Sequence, residues 1–401
     1  MPGSLSEQEQ PLKGLKILDL TKLLPGPLCT MILGDYGAEI FKVEDIHAGD
    51  PTRFAGNLID GCGSLFRQLN RNKKSIALNL KTEEGREVIK KLAARADVLV
   101  EGFRPGVMER LSLGYKDLSL INPGLIYAAI SGYGQEGPYR ERAGHDINYT
   151  ALAGLLDLSA GEGDSPVMPA VQIADIAGGS LMALSGIMIA LYERQRTGLG
   201  RFIDVSMTRG LLPWLVYAAS SLDEDINKLN RRGKGHLTGA YACYNIYETA
   251  DGKQMSLGAL EPVFWQRFCD AVGKPQWAEL QFEQEGREEL IIEVQKIFKE
   301  KSRKEWEDFF ASVDACCEPI LELHEAINHP ISQSENYWID YPVSAVKSEK
   351  LTGFPLLFSG QPGCFKLPPP RHGEHTAEIL QTIGYDQKKL LELKDKGVIV
   401  L

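Results

Sequence analysis

The chain has 401 residues, 43% of them hydrophobic and 24% charged. These ordinary globular proportions exclude collagen-like repeats, low-complexity scaffolds and intrinsic disorder. Lys and Arg number 44 against 54 Asp and Glu, a formal charge of −10 with no long basic run, so no nucleic-acid partner is expected. The length exceeds what one core usually organises, and two domains of unequal size are expected. The 7 cysteines are scattered without a Cys-x-x-Cys pair. That usage suits reduced thiols, and a cytoplasmic location is expected. Met1–Pro11 lacks the basic-then-apolar order of a signal peptide and reads as a loose tail. The most apolar stretch, Ile176–Leu191, is shorter than the roughly 20 residues of a membrane span and contains Gly178, Gly179, Ser180 and Ser185. A buried core helix is expected there, with no membrane association.

In chain order, Leu15–Leu20 reads as a strand. Pro25 opens a helix carrying Leu28, Met31 and Ile32, and Gly37 ends it. Glu39–Val43 is the next strand, completing a unit of the size of a parallel crossover. The pattern repeats. Ser75–Leu80 is a strand, and Thr82 with Glu83 and Glu84 starts a helix whose buried stripe is Val88, Ile89, Leu92 and Ala93. Asp97–Phe103 and Leu125–Ile130 are further strands, and Asp175–Arg194 is the long central helix. Strands alternating with helices imply an α/β fold, a parallel sheet covered on both faces. Asp223–Lys234 has linker chemistry. Thr238–Gly258 reads as an antiparallel hairpin turning at Asp251-Gly252, and helical spacing dominates Glu261–His329. Pro and Gly are frequent from Pro330 to His375, followed by short helices at Thr376–Leu380 and Lys388–Lys394. The expected organisation is a doubly wound large domain over residues 1–222 and a small domain over 223–329, with segment 330–401 returning to the first.

Several motifs could carry chemistry. Gly132-Tyr133-Gly134-Gln135-Glu136-Gly137 fits G-x-G-x-x-G, yet Pro138 and the charged Arg140-Glu141-Arg142 follow where an apolar helix should start. It reads as a glycine-rich active-site loop. His324 and His329 are five apart, too far round a helix to share a zinc ion. His372 and His375 have no third ligand nearby, so no metal is expected. Arg71, Lys73 and Lys74 precede one strand and Arg104-Pro105-Gly106 follows another. Strand ends are where open sheets bind ligands, and concentrated cations suit phosphates. Asp175 is expected to open the long apolar helix, either simply as its N-cap or, since the helix dipole favours its ionised form, as a carboxylate nucleophile. His145, in Gly144-His145-Asp146-Ile147-Asn148-Tyr149, is a general base or positioning group.

Together these residues resemble the family III CoA-transferases, the group of formyl-CoA and carnitine CoA-transferases. The resemblance is carried by Leu12-Lys13-Gly14-Leu15-Lys16-Ile17-Leu18-Asp19, Lys42-Val43-Glu44, Gly49-Asp50-Pro51-Thr52-Arg53 and Asn70-Arg71-Asn72-Lys73-Lys74-Ser75-Ile76. Glu101-Gly102-Phe103-Arg104-Pro105-Gly106, Asp175 before its helix and Gly373-Glu374-His375-Thr376 extend it over nearly the whole chain. The resemblance implies a Rossmann-like large domain and a small domain in a ring-shaped chain, interlocked with a second subunit as a homodimer or a heterodimer. It implies acyl-CoA and carboxylic acid substrates and no prosthetic group. By matching positions, CoA contacts fall at Leu78, Asn79, Lys81, Gly102, Phe103, Arg104, Arg110, Ala143 and Gly144. Asp45 stands where the family often has Arg, and Arg71 or Lys73 is expected to replace that phosphate contact.

In the transferase chemistry so implied, Asp175 attacks the donor thioester, forming an anhydride and then an aspartyl-CoA thioester that the acceptor acid consumes. Succinyl-CoA is a donor to consider and an arylsuccinate or other dicarboxylate an acceptor, on a general likeness to benzylsuccinate CoA-transferase. Gly144–Tyr149 also resembles the α-methylacyl-CoA racemases. In that alternative His145 and Asp175 exchange a proton at the α-carbon, and Glu261, in Gly258-Ala259-Leu260-Glu261-Pro262, matches as well. A third reading is a non-catalytic CoA-binding subunit of a heteromer, against which Asp175 argues.

Overall fold

The computed structural model describes residues 10–159, 165–220, 233, 235–334, 337–344 and 347–401. The tail through residue 9, most of the 223–234 linker and most of the 161–166 loop lie outside the described residues. Contacts divide the chain into two units: Met1–Ala153, Ala170–Trp214 and Glu335–Leu401 form one, and Gly154–Pro169 with Leu215–Ser334 the other. Thus 154–169 groups with the second unit, although the sequence pattern assigns it to the first.

The first unit is built on Lys16–Leu20 (β1), Glu39–Glu44 (β2), Lys73–Ala77 (β3), Val98–Glu101 (β4), Ile126–Ser131 (β5) and Phe202–Ser206 (β6). They pair in the order β3-β2-β1-β4-β5-β6, every pairing parallel. This doubly wound order reverses direction between β1 and β4. Strands β4 and β5 are buried along their whole length, which is why they read as continuous apolar runs. Side chains alternate between two cores. Leu18, Leu99 and Tyr127 pack into one, and Ile17, Val98, Val100 and Ile126 into the other, as the two-residue strand period requires.

Helix α1 (Pro25–Asp35) begins on Pro25, whose fixed φ suits a first turn. Helix α2 (Glu83–Ala93) is capped by Thr82, whose hydroxyl accepts the Gly85 N–H at 3.1 Å. A short helix, α3 (Asp146–Leu152), precedes a 24-residue helix running Ala174–Thr197. The latter is long and apolar enough to cross a membrane by length and composition, so the expected shortfall in length is corrected. Its inner face, from Ala177, Gly178 and Gly179 to Ala183, Ile187 and Ala190, is buried against the first unit's core. Its first part, Ala174–Leu181, is wound as a π-helix, and Met182–Thr197 (α4) continues as α. A Cβ on Gly178 would stand 2.2 Å from the Met207 carbonyl oxygen, and one on Gly210 would stand 2.3 Å from that of Gly178. These two glycines let the helix press onto the chain leaving β6.

Segment 337–401 contributes the hairpin Trp338–Ser344 and Lys347–Thr352, which the sequence pattern missed because its polar residues fall on both faces. The helices Thr376–Thr382 and Gln387–Asp395 follow. Ile379, Leu380, Leu390 and Leu393 join the core that holds Leu18. The second unit has an antiparallel sheet of Tyr244–Glu248, Gln254–Gly258 and Cys317–Pro319, turning at Gly252 with φ +75°. Helices Pro262–Ala271, Arg287–Phe298 and Arg303–Phe310 cover a core of Trp265, Phe268, Phe298, Trp306 and Phe310.

Candidate active site

Where β1 and β4 part, the chain segments leaving them cannot cross, and a crevice opens at their carboxyl ends. Two cavities occupy it. One, of about 450 Å³, is lined by Leu78, Asn79 and Lys81 beyond β3, by the Glu44–Pro51 turn, and by Thr21, Lys22, Gly102 and Phe103. The other, of about 530 Å³, is lined by the same Thr21, Lys22, Gly102 and Phe103, and by Arg104, the Ile130–Tyr133 stretch, Arg140, Arg142, Ala143, Gly144, His145, Tyr149 and Asp175. The shared residues make one groove running from Lys81 to Asp175. Phe103 is held at the junction by its N–H, which donates to Glu101 at 2.7 Å. Burial pushes the Glu101 carboxyl up to about 8, with Glu109 adding repulsion.

Asp175 is half-buried at the second residue of the π-helix. It is not the cap. Ile173 holds that position, and the Asp175 N–H donates to the Asp146 carboxylate at 2.9 Å. Burial pushes the Asp175 carboxyl up to about 6, the Asp146 charge pushes it further in the same direction, and His145 opposes. The expected low proton affinity from the helix dipole is therefore corrected: desolvation and a like charge outweigh it. Ser180, five residues on in the π-helix, donates its hydroxyl to the Asp175 carbonyl at 3.2 Å and to that of Pro25 at 2.7 Å. Single π turns are frequent at functional sites.

His145 is exposed and precedes α3, its N–H donating to the Asn148 side chain at 3.0 Å. Tyr149, one turn on, is buried and donates its hydroxyl to the Gly144 carbonyl at 2.6 Å. Its ring stands edge-on to Tyr133 at 5.1 Å. A Cβ on Gly132 would lie 2.4 Å from that ring, so the first glycine of Gly132–Gly137 is demanded by Tyr149. No helix starts after this motif. Gly134 and Gly137 take φ of +94° and +93° in a loop at the end of β5, and of this loop Gly132 and Tyr133 line the larger cavity.

Leu78, Asn79, Lys81, Gly102, Phe103, Arg104, Ala143 and Gly144 all line the groove. Arg110 lies outside both linings, with a guanidinium nitrogen 3.2 Å from the Cβ position of Gly106. Glu261 belongs to the second unit, at the start of helix Pro262–Ala271. Arg71 and Lys73 are corrected. Arg71 is fully buried in a two-pronged pair with Asp35 at 2.8 and 2.7 Å, and Lys73 is buried against Asp19 at 3.0 Å. Neither is available to a phosphate.

The same network explains the other quoted motifs. Lys42 pairs with Asp50 at 2.9 Å and Arg53 grips Glu44 at 2.7 and 2.6 Å. Ser75 donates to Glu44 at 2.6 Å and accepts the Gly373 N–H at 2.9 Å. Asp19 accepts from the Thr21 N–H and from Thr30. Buried charges persist when paired and hydrogen-bonded, and here they fix the turns that line the groove. Lysine pairing holds the Asp19 carboxyl well below the usual range despite burial, and burial pushes the Lys73 ammonium down to about 8.

Sequence reasoning did not single out Asp146, which accepts the Asp175 N–H, or Tyr149, which lines the larger cavity. Asp146 could have been found as an acid in the first turn of a helix, beside His145. Among the described residues no three His, Cys, Asp or Glu side chains gather as metal ligands. The paired histidines have other partners: His372 contacts the Asp45 carbonyl at 2.8 Å and His375 accepts the Ser75 N–H at 3.3 Å.

Fold and site define an α/β enzyme class with a ligand groove that ends on one carboxyl. The model of the CoA-transferase family III matches residues 12–376, and the chain belongs to that family. It is 36% identical to the α-methylacyl-CoA racemase of Homo sapiens over 97% of both chains. It is 34% identical to the succinyl-CoA:glutarate CoA-transferase of Homo sapiens, over 99% of this chain and 92% of that one. A CAIB/BAIF family protein from Brucella suis superposes with TM-score 0.80 at 28% identity, covering 93% of this chain and 99% of that chain.

Proposed function

We propose that this enzyme moves CoA from an acyl-CoA donor to a carboxylic acid, with Asp175 as the nucleophile. The observation that carries the reading is the lining of the larger cavity: Asp175 is the sole acid beside Lys22, Arg104, Arg140 and Arg142. A transferase must hold a free carboxylate next to its own carboxylate, and fixed cations offset that repulsion. The CoA moiety lies along the groove, its nucleotide end toward Leu78, Asn79 and Lys81 and its sulfur toward Asp175. The Asp175 oxygen attacks the thioester carbon and expels CoA thiolate, leaving an acyl-aspartyl anhydride. The thiolate then attacks the aspartyl carbon, forming an aspartyl-CoA thioester and releasing the donor acid. The acceptor carboxylate repeats both steps in reverse and restores Asp175. One thioester replaces another, so no ATP is consumed.

A second reading is favoured by His145, which shares the cavity with Asp175. A carboxyl raised to about 6 suits proton transfer near neutral pH, and with His145 on the other side of the α-carbon it would invert that centre. The Gly49–Arg53 motif does not decide between the two, because its charges are spent on buried pairs. The chain acts in an interlocked dimer with a second copy or a homologous subunit.

Purified enzyme given acyl-CoA donors and free acids tests the choice. New acyl-CoA products, without deuterium entering the α-position, are the expected result. Deuterium wash-in at the α-carbon with no acid present would establish the racemase instead.

A further inference from the structure

We infer that Leu23 is a shielding residue, held in a strained backbone conformation so that its side chain keeps water from the acyl group bonded to Asp175. The inference rests on the transferase reading of Asp175 and adds the means by which transfer outruns hydrolysis. Among the described residues, six that are not glycine take positive φ: Leu23, Asp60, Asn72, Ser112, Cys316 and Ser359. Five of them are small or polar. Only Leu23, at φ +67°, is a bulky hydrophobe, for which the left-handed region is a genuine outlier. Such outliers persist where the surrounding structure over-determines them, and they cluster at active sites.

The surroundings of Leu23 do so. In the turn between β1 and α1, the Thr21 N–H donates to Asp19 at 2.9 Å and the Thr21 carbonyl accepts the buried Lys42 ammonium at 3.1 Å. The Leu23 N–H donates to Asp50 at 3.2 Å, and Asp50 is itself buried on Lys42. A Cβ on Gly26 would stand 2.3 Å from that of Thr21, so the turn is folded back on itself. Its far end meets the helix that carries Asp175: the Pro25 carbonyl accepts the Ser180 hydroxyl, and a Cβ on Gly179 would lie 2.9 Å from the Pro25 ring. Glycine would fit this turn without strain, so a leucine here answers to something other than the backbone. It does not serve the core, because Leu23 is 41% exposed and belongs to neither apolar cluster of this unit. It lines the larger cavity together with Asp175. An acyl-aspartyl anhydride in that cavity fails if water reaches it. The water oxygen then bonds to the acyl carbon, the bond from that carbon to the Asp175 oxygen breaks, and the donor acid leaves. One water proton neutralises the CoA thiolate and the other passes to solvent as the acid ionises, so the thioester is lost without transfer. An apolar side chain on the cavity wall opposes this by excluding water.

The test is the ratio of hydrolysis to transfer in the full-length enzyme. Acetyl-, butyryl-, succinyl- and benzoyl-CoA are each supplied with and without a mixture of the four free acids. Free CoA and new acyl-CoA are both followed, corrected for the rate without enzyme. Leu23→Gly and Leu23→Ala should each raise hydrolysis relative to transfer by about tenfold, as loss of an apolar cover over the reacting carbon implies. Leu23→Met, which keeps such a cover, should stay near the wild-type ratio. Leu23→Gly also relieves the backbone, so it should melt no lower than Leu23→Ala. An unchanged ratio in Leu23→Gly or Leu23→Ala, a raised one in Leu23→Met, or a glycine variant that melts below the alanine variant would overturn the inference while leaving the transferase reading standing. A wild type that transfers none of the four acyl groups would overturn the reading beneath it, and the inference with it.

Discussion

Replacing Asp175 by Asn should abolish turnover and yet stabilise the fold, in a way that depends on pH. The Asp175 carboxyl is pushed from 3.8 to about 6 by burial and by Asp146, so the folded enzyme resists holding it ionised. A rise of that size corresponds to about 3 kcal/mol, and solvent reaching a partly exposed group reduces it to ~1–2 kcal/mol. The sign follows from linkage. A carboxyl whose proton affinity is higher folded than unfolded makes the native state bind more protons, so stability falls as pH rises from about 4 to 6. Below that window the acid is protonated in both states and the amide confers no electrostatic advantage. Above it the full penalty falls on the wild type alone. Urea denaturation of both proteins from pH 4 to 8 should give curves that separate across that window, with the variant more stable on the alkaline side. A constant difference would report only an altered hydrogen bond. A difference that shrinks toward pH 8 would refute the electrostatic account of the site.

Asp146→Asn removes the second-largest cause of the raised Asp175 value. The acidic limb of kcat/KM should move below pH 6 by less than one unit, and a limb that stays put would exclude the contact between the two acids. Arg71→Leu strands the buried Asp35 carboxylate and should cost ~3–5 kcal/mol, read as a lower thermal midpoint or lost soluble protein. A stable Arg71 variant with a raised KM for acyl-CoA would restore the phosphate role denied above. Gly132→Ala drives a methyl into the Tyr149 ring and should cost roughly 1–3 kcal/mol. The double variant with Tyr149→Leu should recover much of that loss, and no recovery would mean that the glycine serves the backbone instead.

The fold was legible where one period dominated. Five of the six parallel strands read directly: Val98–Glu101 and Ile126–Ser131, buried along their length, are apolar runs, and the other three stand out by short apolar cores beside Gly, Pro or a helix start. The sixth, Phe202–Ser206, was hidden by Asp204, which interrupts its apolar run. The Trp338–Thr352 hairpin was hidden because neither face is consistently apolar. Asp175 stood out before its apolar helix, but its environment did not. That depends on Asp146, 29 residues earlier, which only the packing of α3 against the π turn brings within 2.9 Å. Arg71 and Lys73 show the opposite failure. Basic residues beside a strand look like ligand groups until their buried partners, Asp35 and Asp19, are seen from 36 and 54 residues away.

The account depends most on a covalent bond to the Asp175 carboxyl during turnover. Enzyme mixed with an acyl-CoA donor, quenched with hydroxylamine and digested, should yield the hydroxamate on the peptide bearing Asp175, detected by mass spectrometry. The same peptide recovered unmodified from an enzyme that is turning over would contradict the account.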